Sequence, residues 1–222
     1  MGGLNFSMLD SALRPVKDRI FAPLVATRLG RVHPTTISIV GLALTLGAAV
    51  SASQRLPVLA VLLWLGGRTA DGIDGLAARR TDRATDVGGL LDFMFDTIGY
   101  ASIPIGLAFG VDTRVGWIVT AVLLASFYVN SVSLGYVSAL IEKRGTRGHG
   151  TTVQGATVQG SAVHSATSVV LPRGLVEGTE TIVFFTLALA LPDVAPFIWA
   201  VMATAVLFTA FERLHWASRR LV

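Results

Sequence analysis

Cysteine is absent from all 222 residues, which excludes disulfides, thiolate-bound metals and a thiol nucleophile. Charge is scarce as well. Only 14% of the residues are charged, where a soluble globular domain carries about 25%, so the chain is short of the polar surface that water requires. Apolar residues take their place: 52% of the chain is hydrophobic and the mean hydropathy is +0.65. Membrane residence follows. At roughly 20 residues per crossing, six spans and short connections use up the chain, so a single domain over 1–222 is expected, with no separate soluble domain. The start of the chain mixes charge with short apolar runs and shows no apolar core before a small-residue cleavage site, so no removable signal peptide is expected.

Apolar stretches occur at 35–51, 56–67, 89–111, 115–141, 182–191 and 194–211. The second and fifth are short for a span, and reach full length only if 68–79 and 174–181 are helical too. Polar groups at membrane depth are costly and usually face a bundle interior or a watery cavity, so those two extensions are where chemistry is expected. The expected fold is an all-α integral membrane protein with six transmembrane helices and an N-terminal interfacial amphipathic helix.

Lys and Arg set the orientation. With the N-terminus in the cytoplasm, fifteen of them (among them Arg14, Arg31, Arg79, Lys143, Arg173 and Arg220) fall on one face, Arg55 and Arg114 on the other, and Arg68 within a span. The positive-inside bias therefore predicts both termini on the cytoplasmic side of a cell (plasma or inner) membrane. It also accounts for the formal charge of +4: basic loops lie against anionic headgroups, and no nucleic-acid partner is expected. Residues 8–29 carry Leu9, Leu13, Val16, Ile20 and Leu24 at helical spacing with cations between them, the pattern of a helix lying in the interface, and 1–31 is taken as a cytoplasmic, interfacial segment. Residues 142–173 read as a cytoplasmic loop, rich in Gly, Thr, Ser and Gln and holding the repeat TVQGA then TVQGS. His149, His164, His33 and His215 are read as solvated rather than as metal ligands.

The most informative segment begins at Arg68. Asp71 and Asp74 are three residues apart and Asp92 and Asp96 four apart, so on helices each pair shares a face. Antiparallel neighbours joined by a short connection are expected to lie side by side, bringing all four carboxylates to one depth on the cytoplasmic side. Four ionised aspartates partly out of water repel one another unless some are protonated or a cation is present. All-oxygen ligands suit hard divalent ions, and a metal pair about 3.5–4 Å apart is a familiar arrangement for phosphoryl chemistry. Small residues at Gly75, Ala78 and Gly88 are expected to let the two helices approach closely. Asp82 and Asp86 with Arg80 and Arg83 read as surface ion pairs in the connecting turn.

These positions spell D-x2-D-G-x2-A-R-x8-G-x3-D-x3-D through Asp71, Asp74, Gly75, Ala78, Arg79, Gly88, Asp92 and Asp96. The pattern resembles the signature of the CDP-alcohol phosphotransferase family, class I, with no departure at a fixed position. His33-Pro34-Thr35-Thr36 also opens the first span much as a Pro-Asn-Thr-like segment does in that family. The resemblance implies that Asp71, Asp74 and Asp92 hold two divalent cations, Mg2+ foremost with Mn2+ and Ca2+ as alternatives, and that Asp96 acts as general base and also touches one ion. It implies further that Gly75, Ala78, Arg79, Thr85, Gly88, His33, Pro34 and Thr35 contact a CDP-alcohol donor. Arg68 reads either as a counter-charge to the aspartates or as the recogniser of an anionic group on a substrate. Glu177 and Glu180 read either as acceptor contacts or as dipole-favoured residues at a helix start.

The expected activity is transfer of a phosphatidyl group, with CDP-diacylglycerol as leading donor, to a small polar alcohol with release of CMP. The alternatives are a soluble CDP-alcohol donor with a lipid acceptor, and a cation-binding transporter or scaffold without chemistry. Thr97 stands where family members that use glycerol phosphate or inositol phosphate often carry Lys or Arg. This disfavours a phosphorylated acceptor, whereas Arg68 points the other way. The family also suggests a homodimer.

Overall fold

The computed structural model describes residues 33–80, 85–145, 157–158, 161–162 and 178–220. The expected interfacial helix over 8–29 lies outside them. Six helices account for nearly all of what is described: α1 (Pro34–Ser53), α2 (Pro57–Arg80), α3 (Asp86–Val111), α4 (Arg114–Gly145), α5 (Gly178–Ala190) and α6 (Ala195–Arg220). Between α4 and α5 a two-residue antiparallel pairing, Thr157–Val158 with Ser161–Ala162, falls on the second copy of the repeat.

Each helix boundary has a local cause. Pro34 occupies the first turn of α1 after the N-cap His33, where a missing N–H costs nothing. The α1–α2 turn is a Schellman motif: Leu56 N–H bonds to the Ser51 carbonyl and Arg55 N–H to the Ala52 carbonyl, with Arg55 in the left-handed region at φ 57°. Thr85 caps α3 by accepting from Gly88 N–H at 3.0 Å. Asp112, at φ 47°, ends α3, and the Thr113 hydroxyl accepts from Gly116 N–H to start α4. The second apolar run continues as helix through its polar extension to Arg80, as expected. α4 runs on through Glu142–Gly145, past the expected start of the loop at 142, because Glu, Lys and Arg are good helix formers and nothing breaks the pattern before the glycine.

The helices close into a ring. α1 packs on α2 and α3, α2 on α5, α5 on α6, α6 on α4 and α4 on α3. Trp64, Trp199, Phe185, Ile103, Leu107, Leu123 and Met202 fill the interior, while Val58, Leu62, Val115, Phe197 and Phe211 point outward. An apolar exterior around a bundle of this kind belongs in lipid. Among the described residues, four helices are long and apolar enough to cross a membrane: Thr35–Ser53, Asp86–Val111, Arg114–Lys143 and Pro192–Arg220. α2 is long enough but carries the charged centre, and α5 is a shorter apolar helix. Several hydroxyls in the spans bond back to their own helix, as Thr45 does to the Gly41 carbonyl, Thr186 to Ile182 and Thr209 to Ala205, which satisfies them where water cannot.

One expectation is corrected by the packing. The small residues were to bring α2 and α3 together; the close backbone approaches are instead those of α1 on its two neighbours. A Cβ on Gly106 or Gly110 of α3 would collide with the carbonyl oxygens of Ala49 and Ala52, and one on Gly67 of α2 would lie 3.0 Å from the Gly41 carbonyl. Small residues let membrane helices approach closely, so α1 acts as the spacer that sets α2 and α3 at their separation. The acidic side chains then meet across that separation.

Candidate active site

α2 brings Arg68, Asp71 and Asp74 to one face, and the first turns of α3 bring Asp92 and Asp96 opposite them. Three of the four aspartates form the tightest group, and Asp96 lines the same concavity. Asp71, Asp74 and Asp92 each offer a carboxylate oxygen, and these oxygens lie within 4.8 Å of one another. An all-oxygen triad this tight suits a hard divalent ion, which takes its ligands at about 2.0–2.6 Å, and mutual repulsion of three carboxylates is relieved by such an ion. The residues present therefore fit the implied metal. α1 supports the triad from the side, since Ser38 Oγ donates to Asp74 Oδ2.

One arginine serves two of the four. Arg68 Nη1 donates to Asp96 Oδ1 at 2.6 Å and lies 3.6 Å from Asp71 Oδ2. Its guanidinium stands 4.9 Å from the Trp64 ring and 5.5 Å from that of Tyr100. Both side chains of the pair are largely buried, with 10% exposure for Arg68 and 7% for Asp96, whereas Asp71 retains 34%. Asp71, Asp92, Asp96 and Arg68 line one concavity with Ser38 and Phe95.

The other expected residues are placed as follows. Thr85 and Gly88 pair with each other at the start of α3, near the acidic end of the bundle. His33 and Thr35 stand at the opening of α1, His33 exposed, and Pro34 begins the helix. Gly75, Ala78 and Arg79 lie in the last turns of α2, their side chains outside the described residues. Glu180 sits in the first turn of α5, where the helix dipole favours an acid; Glu177 lies outside the described residues, as do Asp82 and Arg83. Asp86 is an exposed residue in the first turn of α3. Ser38, Trp64 and Tyr100 were missed. A signal existed for the two aromatics, because Trp64 precedes Arg68 by four residues and Tyr100 follows Asp96 by four. Ser38 lies in an apolar run with nothing in sequence to tie it to Asp74.

Fold and site together define a polytopic helical membrane protein with a carboxylate cluster suited to hard cations. The family profile of CDP-alcohol phosphatidyltransferase matches residues 31–211, and the chain belongs to that family. It is 31% identical over 127 residues to the archaetidylinositol phosphate synthase of Pyrococcus horikoshii, covering 54% of this chain and 65% of that one. It is 28% identical over 190 residues to the inner membrane protein YnjF of Escherichia coli, covering 83% of each. The fold is shared with the Mycobacterium tuberculosis phosphatidylinositol phosphate synthase. Its complex with manganese and citrate aligns at a TM-score of 0.63 and 18% identity, over 90% of this chain and 87% of that one. Its form with CDP-DAG bound aligns at 0.60 and 17%, over 89% and 92%.

Proposed function

We propose that the chain transfers a phosphatidyl group from CDP-diacylglycerol to the hydroxyl of a small polar alcohol and releases CMP. The observation that carries this reading is the triad of Asp71, Asp74 and Asp92, with oxygens within 4.8 Å, beside a fourth aspartate in the same concavity. The family match supports it, as do the manganese and CDP-DAG found on the structural neighbour.

Asp71, Asp74 and Asp92 are the residues that would hold two divalent cations, Mg2+ foremost. When bound, these ions neutralise the donor pyrophosphate and the charge that grows on departing CMP. Asp96 takes the proton of the acceptor hydroxyl. The freed oxygen forms its bond to the β-phosphorus as the bond from that phosphorus to the CMP oxygen breaks, and the electron pair leaves with CMP. Arg79 pairs with a donor phosphate, and the Gly75 backbone, Ala78, Gly88, Thr85 and the His33–Thr35 opening of α1 border the nucleotide. The centre faces the cytoplasm of the cell membrane, and the acceptor enters beside Arg68, with Glu177 and Glu180 as further contacts.

The test is CMP release by the purified protein. Labelled CDP-diacylglycerol is offered with serine, inositol, inositol phosphate or glycerol phosphate in turn. One of these should support release, chelator should stop it, and added Mg2+ or Mn2+ should restore it. Release only from a soluble CDP-alcohol with a lipid acceptor would move the donor assignment. No release from any donor, with cell function unchanged by Asp96→Asn, would leave a cation-binding transporter or scaffold.

A further inference from the structure

We propose that Thr45 is a positioning residue of the metal centre: its side chain is the wedge that fixes the gap between α2 and α3, and through that gap the size of ion the carboxylates accept. The inference rests on the reading of Asp71, Asp74 and Asp92 as cation ligands. It adds a residue that acts on the ion only through the two helices that carry them.

Thr45 lies fully buried on α1, between one glycine on each neighbouring helix. A Cβ on Gly67 of α2 would lie 2.6 Å from its Oγ1, and one on Gly99 of α3 would lie 2.9 Å from its Cγ2. The two branches of one side chain therefore face two different helices. They are also held in place. Thr45 Oγ1 donates to the Gly41 carbonyl at 2.9 Å, one of the rotamers a helical threonine is allowed, and branching at Cβ makes that torsion stiff. On the facing side each glycine presents bare backbone, with no side chain that could yield. The gap is set by one residue.

The wedge stands one turn below the centre. Gly67 precedes Asp71 by four residues on α2, and Gly99 follows Asp96 by three on α3. Gly41 and Gly67 line the same concavity as Asp71, Asp92 and Asp96. Asp71 and Asp74 belong to α2 and Asp92 to α3, so the oxygens that would share an ion come from both sides of the wedged gap. Ion size is sensitive to such a gap. Mg2+ demands near-octahedral geometry at about 2.0–2.1 Å, whereas Ca2+ takes its ligands at about 2.3–2.6 Å in a flexible shell. Moving the helices by a fraction of an ångström favours one ion over the other. A threonine that served packing alone would alter stability when changed and leave the preference between ions where it was.

The test uses the whole chain in detergent, with bound Mn2+ followed by electron paramagnetic resonance and displaced by Mg2+ or Ca2+. The readout is the ratio of Ca2+ to Mg2+ affinity. Gly99→Ala adds the methyl that meets Thr45 Cγ2 and should raise this ratio severalfold as α3 moves outward. Adding Thr45→Ser removes Cγ2 and keeps the hydroxyl toward Gly67. The double variant should return to the parent ratio, because a methyl has moved from α1 to α3 at constant volume. Thr45→Ala removes both branches and crowds nothing, so it should lower the ratio as the helices settle toward the space, and it decides the matter if Gly99→Ala does not fold. A Thr45→Ala variant with the parent ratio and only a shifted unfolding temperature would overturn the proposal, as would a double variant that keeps the raised ratio of Gly99→Ala. If the parent holds no Mn2+, the reading of the aspartates as ligands fails and the proposal with it; if the parent holds Mn2+ and no variant moves the ratio, the proposal alone fails.

Discussion

Four aspartates of identical chemistry differ in what surrounds each one. Asp71, Asp74 and Asp92 share a small volume with one another, while Asp96 is bonded to a buried arginine. Substituting a member of the first group removes a ligand, so Asp71→Ala or Asp92→Ala should abolish Mn2+ binding and CMP release together. Asp96→Asn should keep Mn2+ binding in a titration followed by electron paramagnetic resonance, while CMP release falls by ~10²–10⁴, the usual worth of a general base. The spacing of the aspartates was legible in the sequence because helical periodicity alone puts i and i+3 or i+4 on one face. The bond from Arg68 to Asp96 was not, since it depends on Arg68 reaching across from α2 to α3, and side-chain reach across helices leaves no mark in either segment.

α1 carries no catalytic group, yet the centre depends on it. The α1–α3 crossing has no room for a side chain at Gly106, which faces the Ala49 carbonyl. Gly106→Leu should therefore force the two helices apart and lower the thermal unfolding temperature and CMP release together. Gly89→Ala is the matched control: a Cβ there meets nothing within 4 Å, and thermal unfolding should show a change of about 0.5–1 kcal/mol in the stabilising direction. One turn beyond Gly106 the same helix pair is tied by Arg55, whose Nε donates to the Gly110 carbonyl at 2.6 Å, with Nη2 3.4 Å from that of Val111, at the end of α3. Arg55→Gly and Arg55→Ala both lose these bonds, but only glycine suits the left-handed backbone at φ 57°. The glycine variant should be the more stable of the two by about 1 kcal/mol, measurable by thermal unfolding in one detergent. The helices themselves were readable from apolar run length, including the polar extension of the second. Which pairs of helices touch was not, and the expectation that α2 would lie directly on α3 gave way because small residues line both crossings of α1, Gly67 against Gly41 and Gly106 and Gly110 against Ala49 and Ala52.

Among the described residues, six helices form a closed ring with an apolar exterior. The proposed orientation rests on charge and is open to test: Arg55 and Arg114 stand at one end, while Arg219 and Arg220 end α6 at the other. With no native cysteine, single introduced thiols report sidedness cleanly. Asp86→Cys and Glu142→Cys should react with an impermeant maleimide only in inside-out vesicles, and Ser53→Cys only in right-side-out ones; the reverse pattern would put the centre outside. Composition and periodicity alone determined that this chain lives in lipid, as six helices with acidic groups toward the ends of the second and third, because hydropathy and helical repeat are properties of local sequence. Tertiary structure alone decided which carboxylates cluster, which of them Arg68 reaches, and which aromatic rings aim that arginine. Those relations join side chains on separate helices, and they exist only once close-packed small residues fix where each helix stands.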